Sequence, residues 1–355
     1  MIQRVAVVGA GTMGAGIAQL CAQSGFGVKV HDPLPAALAA LPGRLKKSLD
    51  AAVLKGKLGT QQADRAFHSV SAAATLEELT GADLVIEAAP ESLPLKRDLF
   101  EKLSRICPDA VLATNTSSLS VADVMARAAD PERTLGIHFF NPPVAMKLVE
   151  MIRAPRTSPE AFREAFDFVL MGLKRTPVDV KDVPGFIVNR VMRPYYVAAQ
   201  RLAGGAAPFA TLDADCRSKG GVPMGPFELM DLIGLDTNLS ITKSIFEALG
   251  RPERFAPPAL QQALVDRGMS GRKSGKGFYL YADGKASGEN PEAVSLLAAA
   301  PEADAWGGLR AALIAEAELV VAEGTASASD VDVAIKLAMN FPKGPFEWRK
   351  ESTAA

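Results

Sequence analysis

Cysteine is scarce in this sequence, and neither sign of charge dominates it. The 355 residues hold three cysteines, Cys21, Cys107 and Cys216, far apart and without paired spacing, which argues against a disulfide framework or a zinc ribbon; no metal site is indicated. Thirty-nine basic residues against 40 acidic ones leave a formal charge of −1, so no broad attraction to nucleic acid or acidic lipid follows. No uninterrupted apolar run is long enough to span a membrane. An apolar strand begins at Arg4, leaving no room for a charged leader, an apolar segment and a cleavage site, so a cytoplasmic protein is expected.

What the chain does have is organisation. Its length exceeds that of one ordinary hydrophobic core. In the first third, short apolar stretches at Arg4–Val8, Val28–His31, Asp83–Ala88 and Ala110–Thr114 alternate with helix-length segments, the rhythm of a parallel α/β sheet. Arg133–Phe139 and Lys147–Ile152 read as two further strands, with Pro142-Pro143 forcing a non-helical connection between them. Val180–Val183 is the last extended stretch before a hinge at Lys181–Gly185, beyond which helical periodicity takes over. The fold class predicted is an α/β Rossmann-type domain over residues 1–183, followed by an all-α C-terminal domain with an internal repeat.

The repeat emerges when Asp213–Glu228 is laid over Asp332–Glu347 without a gap: Val222-Pro223-Met224-Gly225-Pro226-Phe227-Glu228 returns as Phe341-Pro342-Lys343-Gly344-Pro345-Phe346-Glu347. Leu202–Gly205 faces Val321–Gly324 at the same offset. A helical domain over 184–282 and a second, partial copy over 291–355 are therefore expected, with Ala282–Ala303, rich in small and polar residues, as a linker.

Gly9-Ala10-Gly11-Thr12-Met13-Gly14 follows the first strand and opens a helix. Its first glycine permits a tight turn, its second lets backbone approach a pyrophosphate, and its third lets helix pack on strand. The helix N-terminus offers unpaired N–H groups to the phosphates. Asp32 ends the second strand, where a carboxylate accepts from ribose hydroxyls and repels a 2′-phosphate. Gly9, Gly11, Thr12, Met13, Gly14 and Asp32 are thus the expected NAD site, against the plainer reading of a glycine-rich turn and a turn aspartate.

Only three histidines are present. His31 is expected beside adenine or solvent, and His68 on a polar connection. His138 sits at a strand end inside His138-Phe139-Phe140-Asn141-Pro142-Pro143, and Glu150 lies on the following strand, where adjacent strand ends can join carboxylate to imidazole. Such a pair keeps one tautomer and raises the basicity of the other nitrogen. A purely structural His–Glu hydrogen bond is the alternative.

Gly9–Gly16, Glu87–Lys96, Asn115-Thr116-Ser117-Ser118, His138–Pro142 with Met146–Glu150, Asp182–Arg190, Met224–Asp236 and Ser274–Tyr279 together resemble the L-3-hydroxyacyl-CoA dehydrogenase family over nearly the whole chain. The resemblance implies NAD as cofactor and an acyl-CoA as substrate. It makes His138 the acid/base and Glu150 its orienting partner, and points Ser117 and Asn189 at the substrate oxygen. It places Glu91 and Lys96 near the nicotinamide ribose, and Ser48 and Lys55 against the CoA part. Asn141 is expected to hold the His138 loop by side-chain-to-backbone bonds. Pro90 and Pro94 bracket Glu91, where relatives carry other residues. Relatives with one helical copy pair it with a second subunit, so the second copy here favours pairing within one chain over a simple homodimer. Two other readings stay open: a dehydrogenase of a free hydroxy acid such as carnitine or gulonate, and a non-catalytic NAD-binding protein like the lens lambda-crystallins.

Overall fold

A computed structural model describes residues 2–204, 208–297 and 304–354. The chain divides into two compact units, Met1–Val183 and Pro184–Ala355. In the first, eight strands form one sheet: β1 (Arg4–Val8), β2 (Gly27–His31), β3 (Val70–Ala73), β4 (Leu84–Glu87), β5 (Val111–Thr114), β6 (Thr134–Phe139), β7 (Leu148–Arg153) and β8 (Thr176–Lys181). Their order is β3-β2-β1-β4-β5-β6-β7-β8, parallel except where β7 runs against β6. Helices α1 (Thr12–Gln23), α2 (Pro35–Leu54), α3 (Thr60–His68), α4 (Leu93–Ile106), α5 (Val121–Val124) and α6 (Pro159–Asp167) connect them.

β4, β5 and β6 are buried along their whole length, as strands covered on both faces must be, and their near-continuous apolar runs follow from that. The chain reverses strand order between β1 and β4, so the carboxyl ends of the parallel strands open a crevice there. β3 has no strong strand pattern in Val70-Ser71-Ala72-Ala73, and its pairing with β2 is a gift of the sheet edge.

The second unit contains α7 (Val188–Leu202), α8 (Pro208–Gly220), α9 (Pro226–Ile233), α10 (Leu235–Ala248), α11 (Ala259–Asp266), strands β9 (Tyr279–Ala282) and β10 (Lys285–Glu289), and α12 (Pro291–Val294), α13 (Ala305–Ala322), α14 (Ala328–Met339) and α15 (Pro345–Ala354). No helix among the described residues is long and apolar enough to cross a membrane.

The two copies of the repeat use one device. Asp213 accepts from the N–H groups of Phe227 at 3.0 Å and Glu228 at 3.1 Å, and Asp332 accepts from Phe346 at 2.8 Å, so each aspartate caps the next helix. Glycine is obligatory beside each cap: a Cβ on Gly225 or Gly344 would come within 2.2 Å of the aspartate oxygen. Arg217–Glu228 and Lys336–Glu347 repeat an ion pair at matching positions, both at 2.5 Å. Gly205, inside the repeat, lies outside the described residues.

The expected linker Ala282–Ala303 is corrected in its first half. Lys285–Glu289 pairs with β9 through a two-residue turn in which Asp283 and Gly284 both take positive φ, 49° and 73°, as a twist-matched hairpin requires. Glu289 then caps α8, accepting from Phe209 N–H at 2.8 Å and Ala210 N–H at 2.6 Å. Residues 298–303 of the expected linker lie outside the described residues.

Candidate active site

The glycine-rich turn leaves β1 and enters α1 at the crevice. Gly9 has φ 111°, and a Cβ there would strike the Ala88 carbonyl at 2.6 Å; at Gly14 it would come within 1.8 Å of the Gly9 carbonyl. At Gly11 a Cβ would meet nothing within 4 Å, so the space above it is open. No side chain caps the N-terminus of α1, whose first-turn N–H groups are therefore available to an anion. Open space over uncapped amides fits a dinucleotide pyrophosphate. Thr12 is exposed, and Met13 packs half-buried against the core.

Asp32 steadies this turn. Its Oδ2 accepts from Ala10 N–H at 2.8 Å and its Oδ1 from Leu34 N–H at 2.9 Å, which aims the carboxylate along the crevice edge with lone pairs to spare. Asp32→Ala is expected to lower the NAD-to-NADP ratio of kcat/KM by about tenfold or more, the usual worth of a charged hydrogen bond. A ratio that holds steady would reduce Asp32 to a turn residue. His31, expected beside adenine or solvent, is instead buried with its Nδ1 3.1 Å from the Ala73 carbonyl, because β3 covers that edge of β2. His68 ends α3 on the surface.

His138 and Glu150 are directly opposite each other on the antiparallel pair β6–β7. Cross-strand neighbours on one face approach closely, and here Nδ1 of His138 lies 2.7 Å from Oε2 of Glu150. His138 is 6% exposed and Glu150 fully buried. The ring of Phe140 stands 4.6 Å from the imidazole. The brace expected from Asn141 comes from elsewhere: Asn115, at the end of β5, accepts from Phe139 N–H at 2.8 Å, tying the strand end that carries His138 to its neighbour.

A second buried cluster lies at the ends of β4 and β5. Lys96 is 1% exposed; its ammonium donates to Glu87 at 2.6 Å and to the Ala89 carbonyl at 3.3 Å, and lies 3.3 Å from Glu91. Thr114 donates to the other oxygen of Glu87 at 2.6 Å. Glu91 accepts from Thr116 Oγ1 at 2.5 Å, Ser117 N–H at 3.1 Å and Ser118 N–H at 3.2 Å. Burial opposes ionisation of Glu91, but Lys96 and these donors outweigh it and hold its carboxyl below the usual range. Glu91 thus shapes the loop that carries Ser117. Its side chain is 36% exposed, so a ligand would meet Glu91 before Lys96.

Glu87 and Asn115 are the residues that sequence reasoning passed over. Each polar side chain closes an apolar strand at the carboxyl end of the sheet, and that position was the available signal. Of the remaining expected residues, Ser48 is half-buried on α2, Lys55 caps the end of α2 and is exposed, and Asn189 is the second residue of α7 in the second unit. No metal-holding group of histidine, cysteine, aspartate or glutamate occurs among the described residues.

Residues 4–183 match the family described as 3-hydroxyacyl-CoA dehydrogenase, NAD binding domain, and residues 185–281 and 308–354 match its C-terminal domain. A 3-hydroxyadipyl-CoA dehydrogenase of Escherichia coli (strain K12) is 43% identical over 78% of this chain, a match spanning 59% of that relative's length. A 3-hydroxybutyryl-CoA dehydrogenase of Mycobacterium tuberculosis is 41% identical over 79% of this chain and 99% of its own. The crystal structure of 3-hydroxybutyryl-CoA dehydrogenase from Escherichia coli K12 superposes with a TM-score of 0.89 at 32% identity, covering 99% of this chain and 92% of that one.

Proposed function

The chain belongs to the 3-hydroxyacyl-CoA dehydrogenase family, NAD-dependent oxidoreductases, and on that premise we propose that it oxidises the C3 hydroxyl of an L-3-hydroxyacyl-CoA to the 3-oxo thioester with His138 as general acid/base. The observation that carries this reading is the buried 2.7 Å pairing of His138 with Glu150 at the carboxyl end of the sheet. With the carboxylate as acceptor, Nδ1 carries a proton and the basic lone pair is directed to Nε2. In oxidation the C3–H bond breaks as hydride, the hydroxyl proton passes to Nε2, and the C3–O bond becomes a carbonyl. Bound NAD supplies the hydride acceptor. Imidazolium at His138 returns the proton in the reverse direction.

Ser117, on the loop that Glu91 organises, is the residue we assign to the substrate oxygen, and Asn189 keeps the role that the resemblance implies. Glu91, with Lys96 behind it, faces the nicotinamide ribose. Ser48 and Lys55 meet the CoA part.

The test follows NADH absorbance with 3-hydroxybutyryl-CoA, 3-hydroxyadipyl-CoA and free 3-hydroxybutyrate. Turnover of the thioesters alone is expected. Turnover of only the free acid would overturn the thioester reading, and NADH binding without turnover of any substrate would leave a non-catalytic protein. Glu150→Gln is expected to lower kcat by roughly 10²-fold, within the span of general acid–base catalysis, with KM for NAD unchanged. Equal activity of the variant would make the pair structural.

A further inference from the structure

Between α1, α2 and the loop that follows β6 the first unit has an open pocket of about 300 Å³. Its floor is one face of α1, where Gly16 is essential to its shape: a Cβ there would come within 2.9 Å of Pro143, so glycine lets the loop settle on the helix. Gln19 lines it at 4% exposure, and its amide makes no hydrogen bond among the described residues. From α2, Arg44 and Ser48 face it one helical turn apart.

Arg44 is an unusual surface cation. Its Nη1 donates to the carbonyl of Ala10, inside the glycine-rich turn, at 2.6 Å, and no carboxylate lies within ion-pairing distance among the described residues. Ala10 is therefore gripped twice, through its N–H by Asp32 and through its carbonyl by Arg44. A guanidinium has five donors in a planar fork, and one bond leaves most of them for another acceptor. The anchor holds that charge at the rim of a pocket lined by the largely buried Gln19, beside the uncapped first turn of α1.

We propose that Arg44 is a phosphate-binding residue, offering its remaining N–H donors to the pyrophosphate of a ligand at this pocket, while Gln19 meets an uncharged polar segment of the same ligand. Both NAD and an acyl-CoA carry a pyrophosphate. The cofactor arm of the proposal stands independently, and the substrate arm rests on the acyl-CoA reading above.

Two full-length variants separate charge from tether. Arg44→Gln keeps a neutral N–H donor for the Ala10 carbonyl but loses the charge, whereas Arg44→Lys keeps the charge. The Kd of NADH is read by fluorescence titration. KM is read for 3-hydroxybutyryl-CoA and for its N-acetylcysteamine thioester, which carries the same acyl group without a pyrophosphate. Arg44→Gln is expected to weaken one pyrophosphate ligand about tenfold to hundredfold, less at high ionic strength, with Arg44→Lys recovering most of the loss. A raised Kd for NADH identifies the cofactor as the source. A raised KM for the CoA thioester, with the truncated thioester unaffected, identifies the substrate. Both constants unchanged in Arg44→Gln, or a fall in kcat and Tm with unaltered binding, would overturn the proposal and leave Arg44 a structural tether. If the unaltered protein turns over no thioester, the functional reading fails on its own, and the NADH titration still decides Arg44.

Discussion

Replacing His138 by glutamine is expected to lower kcat by roughly 10²–10⁴-fold, the usual share of general acid–base catalysis, while the affinity for NAD stays nearly constant. The separation follows from the sheet. His138 stands on β6, whereas the glycine-rich turn and Asp32 follow β1 and β2, so the substitution touches none of the groups expected to hold the dinucleotide. Glutamine also retains an amide that can donate to Glu150 in place of the imidazole. Steady-state kinetics beside a binding titration of NADH make the check. Loss of NADH affinity on the same scale as loss of kcat would remove His138 from the proton-transfer role and place it in the cofactor site or the fold.

A chain ending at Leu297 is expected to associate or aggregate, with a mass by light scattering at least twice that of its own single chain. That cut keeps Glu289 and Asn290, which cap α8 and α12, but removes α13–α15. α13 lies along α7. Arg190 of α7, 1% exposed, gives Nε to Glu316 at 2.7 Å and its two terminal nitrogens to Glu323 at 2.7 and 2.9 Å, and Arg254 reaches the other oxygen of Glu316 at 2.5 Å. Tyr195 meets the ring of Phe341 at 6.1 Å, and Gly220 has room for no side chain beneath Trp306.

Without α13 Arg190 loses both of its carboxylate partners, and an aromatic face is opened to water. Such a face on a single helical copy is what a second subunit would cover with the same surface in return. In the full-length chain Glu316→Gln is expected to lower Tm for the same reason on a smaller scale. A truncated chain that stays monomeric with an unaltered Tm would show that the second copy covers nothing essential.

Several features were legible because they are local. A strand, a turn with glycine at its first, third and sixth positions, and a helix are written within about twenty residues, and Gly14 is required by its contact with Gly9 inside that same stretch. Asp32 and His138 stand at strand ends, which apolar runs mark. The repeat was legible because two copies of one capping device keep the same residues. Asp283-Gly284 is equally local, yet it sits in a stretch whose average composition reads as linker, so turn chemistry rather than composition was the informative signal.

What the sequence by itself determined is therefore most of the elements, the family and the choice of His138 and Glu150 as a candidate pair. The register that sets His138 opposite Glu150 was decided by the hydrogen bonding of β6 to β7, since a shift of one residue would turn the two side chains to opposite faces. Tertiary structure alone decided that Lys96 is buried on Glu87, that Asn115 braces Phe139, that Arg44 reaches the glycine-rich turn and that Arg190 is held by α13. In each case a polar group is matched by a partner from another element, and whether a charge is solvated or buried depends on what packs over it, which spacing along the chain does not encode.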